Sequence, residues 1–294
     1  MQQIVPHLWF DKEAKEATAF YTSLLPDSKI ISASVIKDTP SGDCDVISFQ
    51  LGGHEFMAIS AGPHLKFNPS ISFIIVCETV EELDKLWSEL SAGGKALMEL
   101  GEYPFSKRYG WTADKYGITW QVILADGHYK YKHKITPTLM FVGDVAGKAE
   151  EAMNFYISVF PDSKLGAMTR YPAGMEPEKE GTIMHGAFEL VGQEFFAMDS
   201  ANKHDFKFNE AVSLMVYCDT QEEIDYYWGK LSAVPEAEQC GWLKDKYGVP
   251  WQIVPTAMNK MMERGDKEAT ARVTKAFLAM KKFDIAALER AYKG

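Results

Sequence analysis

The chain repeats itself, and the repeat limits its fold more than any other feature. Ile4-Val5-Pro6-His7-Leu8-Trp9-Phe10 returns as Ile135-Thr136-Pro137-Thr138-Leu139-Met140-Phe141. Phe20-Tyr21 and Pro26-Asp27-Ser28-Lys29 return as Phe155-Tyr156 and Pro161-Asp162-Ser163-Lys164. Lys66-Phe67-Asn68 returns as Lys207-Phe208-Asn209, and Cys77 as Cys218. The run Trp111-Thr112-Ala113-Asp114-Lys115-Tyr116-Gly117-Ile118-Thr119-Trp120-Gln121 matches Trp242-Leu243-Lys244-Asp245-Lys246-Tyr247-Gly248-Val249-Pro250-Trp251-Gln252. The offset is 131 at Ile4 and Ile135, widens to 141 at Cys77 and Cys218, and is 131 again at Trp111 and Trp242, as loop insertions and deletions require. Two copies of one domain are expected, over residues 1–128 and 134–255, followed by an arm over 256–294.

Each copy reads as the same string of elements. Pro6 to Phe10 is a short strand whose alternation puts His7 and Trp9 on one face. A helix with apolar Ala14, Ala17, Tyr21 and Leu24 follows and stops at Pro26; its partner uses Ala149, Met153, Tyr156 and Phe160 before Pro161. Three strands come next, roughly Lys29 to Ile36, Val46 to Leu51 and Glu55 to Ser60, with Gly52-Gly53 as a hairpin turn. Then Ile71 to Cys77 is a continuous apolar strand. A helix opens with the capping box of Thr79 and Glu82, repeated as Thr220 and Glu223, and further strands end at Thr119 to Leu124. Each copy is therefore βαβββ-βαβββ, an α+β pattern with four such units in the chain. In the arm, Ala269, Val273, Ala276, Phe277 and Met280 keep helical spacing, and Ile285, Leu288 and Tyr292 begin a second helix. Met258, Met261 and Met262 read as gap-filling core.

Composition sets the partner classes. With 31 basic and 41 acidic residues the net charge is −10, a balance that repels nucleic-acid phosphates and anionic lipid. The start, Met1-Gln2-Gln3-Ile4-Val5-Pro6-His7, lacks a basic segment followed by an apolar one, and no apolar run reaches membrane length. Cys44, Cys77, Cys218 and Cys240 are scattered, with no CxxC pair, so neither a zinc ribbon nor a disulfide scaffold is expected. A cytoplasmic protein is the expectation.

The Pro-x-Leu-aromatic-Phe opening and the Gly-Trp-x-x-Asp-Lys-Tyr-Gly-x-x-Trp-Gln ending of each copy resemble the PhnB-like branch of the vicinal oxygen chelate superfamily, which includes glyoxalases, bleomycin-resistance proteins and extradiol dioxygenases. The tail Met280 to Leu288 resembles that branch too. The resemblance implies curled mixed sheets around concave pockets, with paired half-barrels contributing to each, and an intramolecular pseudo-dimer that can also form a homodimer. Metal-dependent members chelate a divalent ion with His, Gln or Glu. The matching positions are His7, Ser70 and Gln121 with Ala58 in the first copy, and Thr138, Ala211 and Gln252 with Ala197 in the second. Hard and borderline divalent ions want anionic or imidazole ligands, and Gln has no usable pKa for general-base work. No metal site and no cofactor are therefore expected.

The implied function is binding of a small organic or aromatic ligand. Candidate ligand-binding residues are His7, Trp9, Phe67, Trp111, Gln121, Thr138, Phe208, Cys240, Trp242 and Gln252, with Met140 as a further liner. Cys240 doubles as a candidate nucleophile, while Trp120 and Trp251, next to Gln121 and Gln252, should point into the helix-side core. The loop Lys66-Phe67-Asn68 and its copy are favoured over strand interiors, since loops carry function more readily. No HxH or HExxH spacing occurs among the other histidines His54, His64, His128, His133, His185 and His204. The alternative is a metal-dependent lyase, isomerase or dioxygenase using His7. Many sequences in this branch carry the label 3-demethylubiquinone-9 3-methyltransferase, but the usual methyltransferase needs a glycine-rich turn after a first strand and a later carboxylate, and no segment here reads so.

Overall fold

A computed structural model describes residues 4–125, 127, 129–263 and 266–294; residues 1–3 and His128 lie outside the described residues. The first copy runs β1 (Ile4–Phe10), α1 (Ala14–Leu24), β2 (Lys29–Thr39), β3 (Gly42–Leu51), β4 (His54–Ser60), β5 (Ile71–Cys77), α2 (Val80–Ser91), β6 (Lys95–Tyr103), β7 (Ser106–Ala113) and β8 (Thr119–Leu124). The second runs β9 (Ile135–Phe141), α3 (Ala149–Val159), β10 (Lys164–Arg170), β11 (Ile183–Leu190), β12 (Gln193–Asp199), β13 (Val212–Cys218), α4 (Gln221–Leu231), β14 (Trp242–Lys244) and β15 (Pro250–Pro255). The arm holds three helices, α5 (Thr256–Glu263), α6 (Lys267–Leu278) and α7 (Ile285–Lys293), one more than the spacing suggested.

Neither sheet belongs to one copy. The seven-stranded sheet runs β14-β15-β13-β1-β4-β3-β2, and the eight-stranded sheet runs β10-β11-β12-β9-β5-β8-β7-β6. The seams are antiparallel: β1 against β13, with His7 opposite Ser213, and β9 against β5, with Thr138 opposite Ser72. The first βαβββ unit of each copy therefore pairs with the last unit of the other, a pseudo-dimer within one chain. Grouping the candidate residues copy by copy is thereby corrected: Trp9 shares a sheet with Trp242, and Trp111 with Met140.

The two sheets stand with their helix-bearing faces toward each other. Each copy is locked there by one buried carboxylate of the repeated Asp-Lys-Tyr-Gly run. Asp114 accepts from the Tyr21 hydroxyl at 2.6 Å, the Trp120 indole at 2.8 Å and the backbone N–H of Tyr116 and Ile118 at 2.8 and 3.1 Å. Asp245 repeats all four with Tyr156, Trp251, Tyr247 and Val249. Trp120 and Trp251 are buried in this core, as strand alternation predicts. The capping boxes form as well: Thr79 Oγ1 accepts from Glu82 N, and Thr220 Oγ1 from Glu223 N.

The fourth unit departs from the expected pattern. Between α4 and β15 the chain forms a short 3-10 turn at Pro235–Ala237 and the three-residue β14, where the first copy has the long hairpin β6–β7. This is where the offset drops from 141 to 131. The arm takes the missing hairpin's place. Cys240 N and Gly241 N donate to the carbonyls of Met280 and Lys281, and the Phe283 ring lies where a side chain on Gly241 would sit. Buried Val273, Phe277, Phe283 and Leu288 hold the arm, each contributing about 1.5–3 kcal/mol.

Candidate functional site

Cross-strand register defines the face of each sheet that points away from the helices. On the eight-stranded sheet, Trp111, Gln121, Ile74 and Thr136 are successive neighbours across β7, β8, β5 and β9, and Ser72, Thr138 and Phe196 form the next row. On the seven-stranded sheet, Trp242, Gln252 and Met215 make the equivalent row, and Ser213, His7 and Met57 the next. This register corrects four of the positions aligned for metal binding. The serines that face the concavities are Ser72 and Ser213, two residues beyond Ser70 and Ala211. On the fourth strands the residues are Met57 and Phe196; Ala58 and Ala197 turn to the helix side, opposite Leu8 and Leu139.

In both concavities the glutamine is tied down. Gln121 Nε2 donates to Ser72 Oγ at 2.8 Å while its Oε1 accepts from the Tyr109 hydroxyl at 2.7 Å. Gln252 Nε2 donates to Ser213 Oγ at 2.9 Å. Around Gln121 lies an apolar layer of Ile74, Val76, Ile123, Met140, Ala187 and Phe196. The segment between the two copies crosses it: Tyr129 and Tyr131 lie 5.6 and 6.1 Å from the Phe196 ring. The Tyr129 hydroxyl and Lys132 N both donate to the Glu194 carboxylate. A cavity of about 570 Å³ adjoins this segment, lined by Val76, Glu78, Ala125, Gly127 and the chain from Tyr129 to Lys134 and by none of the candidate residues.

Three polar atoms of this concavity are buried without a hydrogen-bond partner: Trp111 Nε1, Thr136 Oγ1 and Thr138 Oγ1. Buried polar groups are nearly always paired, because an unpaired one costs about 1–3 kcal/mol. His185, 4.5 Å from the Phe196 ring, is kept neutral by burial, its pKa lowered to about 4.

The other concavity is built differently. His7 lies 5.3 Å edge-on to Trp242, its Nδ1 is buried and unpaired, and burial pushes its pKa down to about 3. Trp9 lies 6.1 Å from Trp242 and donates its indole N–H to the Gly62 carbonyl at 2.9 Å. Val5, Met215 and Val254 share this face and are buried. Their cover is the arm. Helix α5 lies against β15 and α6 against β2, on opposite flanks of the sheet, while α1 and α4 already occupy its other face.

The structure thus brings His7, Trp9, Trp242 and Gln252 together on one sheet and Trp111, Gln121 and Thr138 on the other. Three candidates fall outside both sets. Phe67 and Phe208 pack on Phe10 and Phe141 at 5.0 and 5.2 Å, on the helix side. Their loops serve as a clasp rather than a pocket: Asn68 Nδ2 donates to the Lys207 carbonyl, and Asn209 Nδ2 to that of Lys66. Cys240 lies at the arm junction, its thiol directed to the Leu278 carbonyl and its pKa raised by burial, conditions that suppress the thiolate. Sequence reasoning missed Ser72, Thr136, Tyr109, Phe196 and the two linker tyrosines. Only the alternation of β5 and β9 could have marked Ser72 and Thr136.

The fold family implies a divalent metal, and the donor sets do not fit one. One concavity offers His7, a hydroxyl and an amide; the other offers His185, hydroxyls and an amide whose oxygen is already engaged. Among the described residues no three His, Cys, Asp or Glu side chains converge to hold an ion. Among the described residues, also, no helix is long and apolar enough to cross a membrane.

Comparison with known proteins places this architecture. Residues 2–123 and 133–254 both match the family described as 3-demethylubiquinone-9 3-methyltransferase. A PhnB protein from Bacillus cereus is 41% identical, covering 42% of this chain and 100% of its own, with a TM-score of 0.40. Glyoxalase I from Zea mays is 12% identical over 90% of this chain and 98% of its own, with a TM-score of 0.57. A candidate dioxygenase from Bacillus subtilis is 10% identical over 97% of this chain and 94% of its own, with a TM-score of 0.50. At such identities the last two show the fold alone. No curated protein matches the chain. The chain belongs to the family described as 3-demethylubiquinone-9 3-methyltransferase, here with two copies in tandem, and it shares the fold of glyoxalase I.

Proposed function

We propose that the protein binds a small organic molecule, without a metal ion, in the concavity of the eight-stranded sheet. The observation that carries this is the set of buried, unpaired Trp111 Nε1, Thr136 Oγ1 and Thr138 Oγ1 beside the fixed Gln121 amide. A mostly apolar concavity with a few polar anchors is the usual form of a small-molecule site. Free thiols at all four cysteines and the acidic balance of charge suit a cytoplasmic setting.

His7 supports a second reading, that of a metal-dependent lyase, isomerase or dioxygenase. A neutral imidazole with a free Nδ1 is a competent ligand, but its neighbours Ser213, Met57 and Gln252 add no charge to hold a cation. Methyl transfer, the activity in the family's description, has less support. Its usual fold is a doubly wound parallel sheet with a nucleotide-binding turn, and both sheets here mix parallel and antiparallel pairs. Thermal-shift screening of small aromatic compounds, with and without divalent metals, separates these readings. A ligand at 100 times its Kd stabilises by about 2.7 kcal/mol. Stabilisation independent of metal and weakened by Thr138→Val is expected; stabilisation that requires added metal and is lost in His7→Thr would reverse the assignment.

A further inference from the structure

The linker already places a ligand-like group in this concavity. Strand β12 turns Glu194, Phe196 and Met198 to the concave face, and Phe196 stands opposite Thr138 of β9. The Tyr129 ring lies edge-on to Phe196 at 5.6 Å, to Tyr131 at 4.8 Å and to His185 at 6.4 Å. Its hydroxyl donates to Glu194 Oε1 at 2.8 Å. A ring walled by other rings, with its polar tip on a buried anchor, sits as a bound small molecule does.

Glu194 makes this seat selective. The residue is only 3% exposed, and its carboxylate accepts from the Tyr129 hydroxyl and from Lys132 N. The Lys132 ammonium is engaged elsewhere, on Glu189, the residue opposite Glu194 on β11. Burial and the bond to Glu194 both raise the pKa of the Tyr129 hydroxyl, so it keeps its proton and stays a donor. A buried carboxylate that loses a donor is destabilised unless another donor replaces it. Whatever takes the place of the Tyr129 ring must therefore bring a proton to this oxygen.

Resting on the binding assignment above, we infer that Tyr129 is a built-in occupant of the ligand's seat: the ligand displaces it and brings what it takes away, an aromatic ring with a hydrogen-bond donor for Glu194. That ring lies on Phe196 beside the unpaired Thr138 hydroxyl. The displaced tyrosine has a place to go. Its side chain borders both the apolar layer and the cavity of about 570 Å³ next to it, which Glu78, Gly127 and Lys130 also line. Rotation about its side-chain bonds moves the ring toward that cavity and leaves the strands where they are. The cavity receives the tyrosine, and the ligand takes the seat. Apparent affinity falls with the fraction of molecules whose tyrosine is in place.

The test uses the intact chain and a matched pair of probes, 2-naphthol and 2-methoxynaphthalene, of which only the first carries a proton on its oxygen. Equilibrium dialysis should show Tyr129→Ala binding 2-naphthol about tenfold more tightly than the wild type, because the competing ring is gone. The same variant should prefer 2-naphthol to 2-methoxynaphthalene by about tenfold, and adding Glu194→Gln should shrink that preference, since a neutral amide accepts the proton more weakly. A hole left by the missing side chain alone would take both probes alike and ignore Glu194. Tyr129→Phe, which keeps the ring and removes only the hydroxyl, should also bind 2-naphthol more tightly than the wild type; it keeps the test sound if Tyr129→Ala folds poorly. Tyr129 variants that bind no more tightly than the wild type, or that hold the two probes equally, would overturn the built-in occupant; small-molecule binding would then stand on the weakening of 2-naphthol by Thr138→Val. Failure of both probes to bind the wild type and the Tyr129 variants would overturn the binding assignment itself.

Discussion

The two concavities descend from one repeat, yet they are finished in different ways. The eight-stranded sheet keeps its full β6–β7 hairpin and is crossed by the linker with Tyr129 and Tyr131, which also lines a cavity of about 570 Å³. The seven-stranded sheet has lost the hairpin, and three packed helices lie over it instead. Thr136 and Thr138 stand at the positions that Val5 and His7 hold in the other copy, and Tyr109 at the position of Cys240. Three unpaired polar atoms remain on the first face and one on the second. On the proposed function, the arm turns one of the two concavities toward stability and leaves the other free to bind.

The largest test of this contrast is to remove the arm's anchor. Phe283→Ala should cost about 3–5 kcal/mol in a denaturant melt, because a fully buried ring leaves a cavity behind. Phe105→Ala, at the tip of the hairpin that the arm replaces, should cost under about 0.5 kcal/mol, since that ring is 49% exposed. A next comparison uses paired glycines. At Gly241 a Cβ would stand 2.4 Å from the Phe283 ring, on a backbone with φ +83°, so alanine should cost about 2–4 kcal/mol. At Gly110 the Cβ meets the Trp87 ring at 2.5 Å, without a positive φ, and the cost should be nearer 1–3 kcal/mol.

The helix-side core should not discriminate between the copies. Asp114→Asn and Asp245→Asn each upset a four-donor cluster and should lose about 1.5–3 kcal/mol alike in thermal melts. Burial raises Asp245 to about 6, so its proton favours the fold at low pH, and that contribution is lost as pH rises through about 6. The asparagine variant should lack this slope.

This split also marks what the sequence made legible. The Asp-Lys-Tyr-Gly-x-x-Trp-Gln run reads clearly because one carboxylate binds the turn, the tryptophan and a helix tyrosine, so local spacing and tertiary contact coincide. The capping boxes are local for the same reason. The partition of the pocket residues was not legible, because it depends on which half of one copy pairs with which half of the other, a long-range choice that no local pattern records. Register was equally hidden: a shift of one residue moves Ala58 from the pocket to the core, and a shift of two separates Ser70 from Ser72. Phe67 and Asn68 were read as pocket because they lie in a loop, but Asn68 binds the other copy's loop and Phe67 packs on Phe10 on the helix side of its own copy. The lost hairpin left a signal, the offset falling from 141 to 131 between Cys218 and Trp242, though nothing in it said that the arm would fill the gap.

Two smaller effects sharpen the comparison. The folded His7 has its pKa lowered from 6.5 to about 3, so the unfolded chain takes its proton first. Stability linked to His7 is whole above pH 6.5 and is lost as pH falls toward 3, by about 1 kcal/mol at pH 5.5. His7→Thr, which copies Thr138, should flatten that part of the acid limb; His54 and His185, both lowered to about 4, should carry the rest. Thr136→Val should leave the melting temperature unchanged or raise it by the equivalent of up to about 1 kcal/mol, since an unpaired buried hydroxyl is removed. A drop of more than about 1 kcal/mol would mean that the hydroxyl serves the fold.

The claim that only one of the two concavities binds is tested most directly by the stoichiometry of 2-naphthol on the intact chain, measured by isothermal titration calorimetry. One equivalent per chain, weakened by Thr138→Val and untouched by His7→Thr, is the predicted result. Two equivalents of equal affinity, or a single equivalent that responds to His7→Thr and not to Thr138→Val, would contradict it.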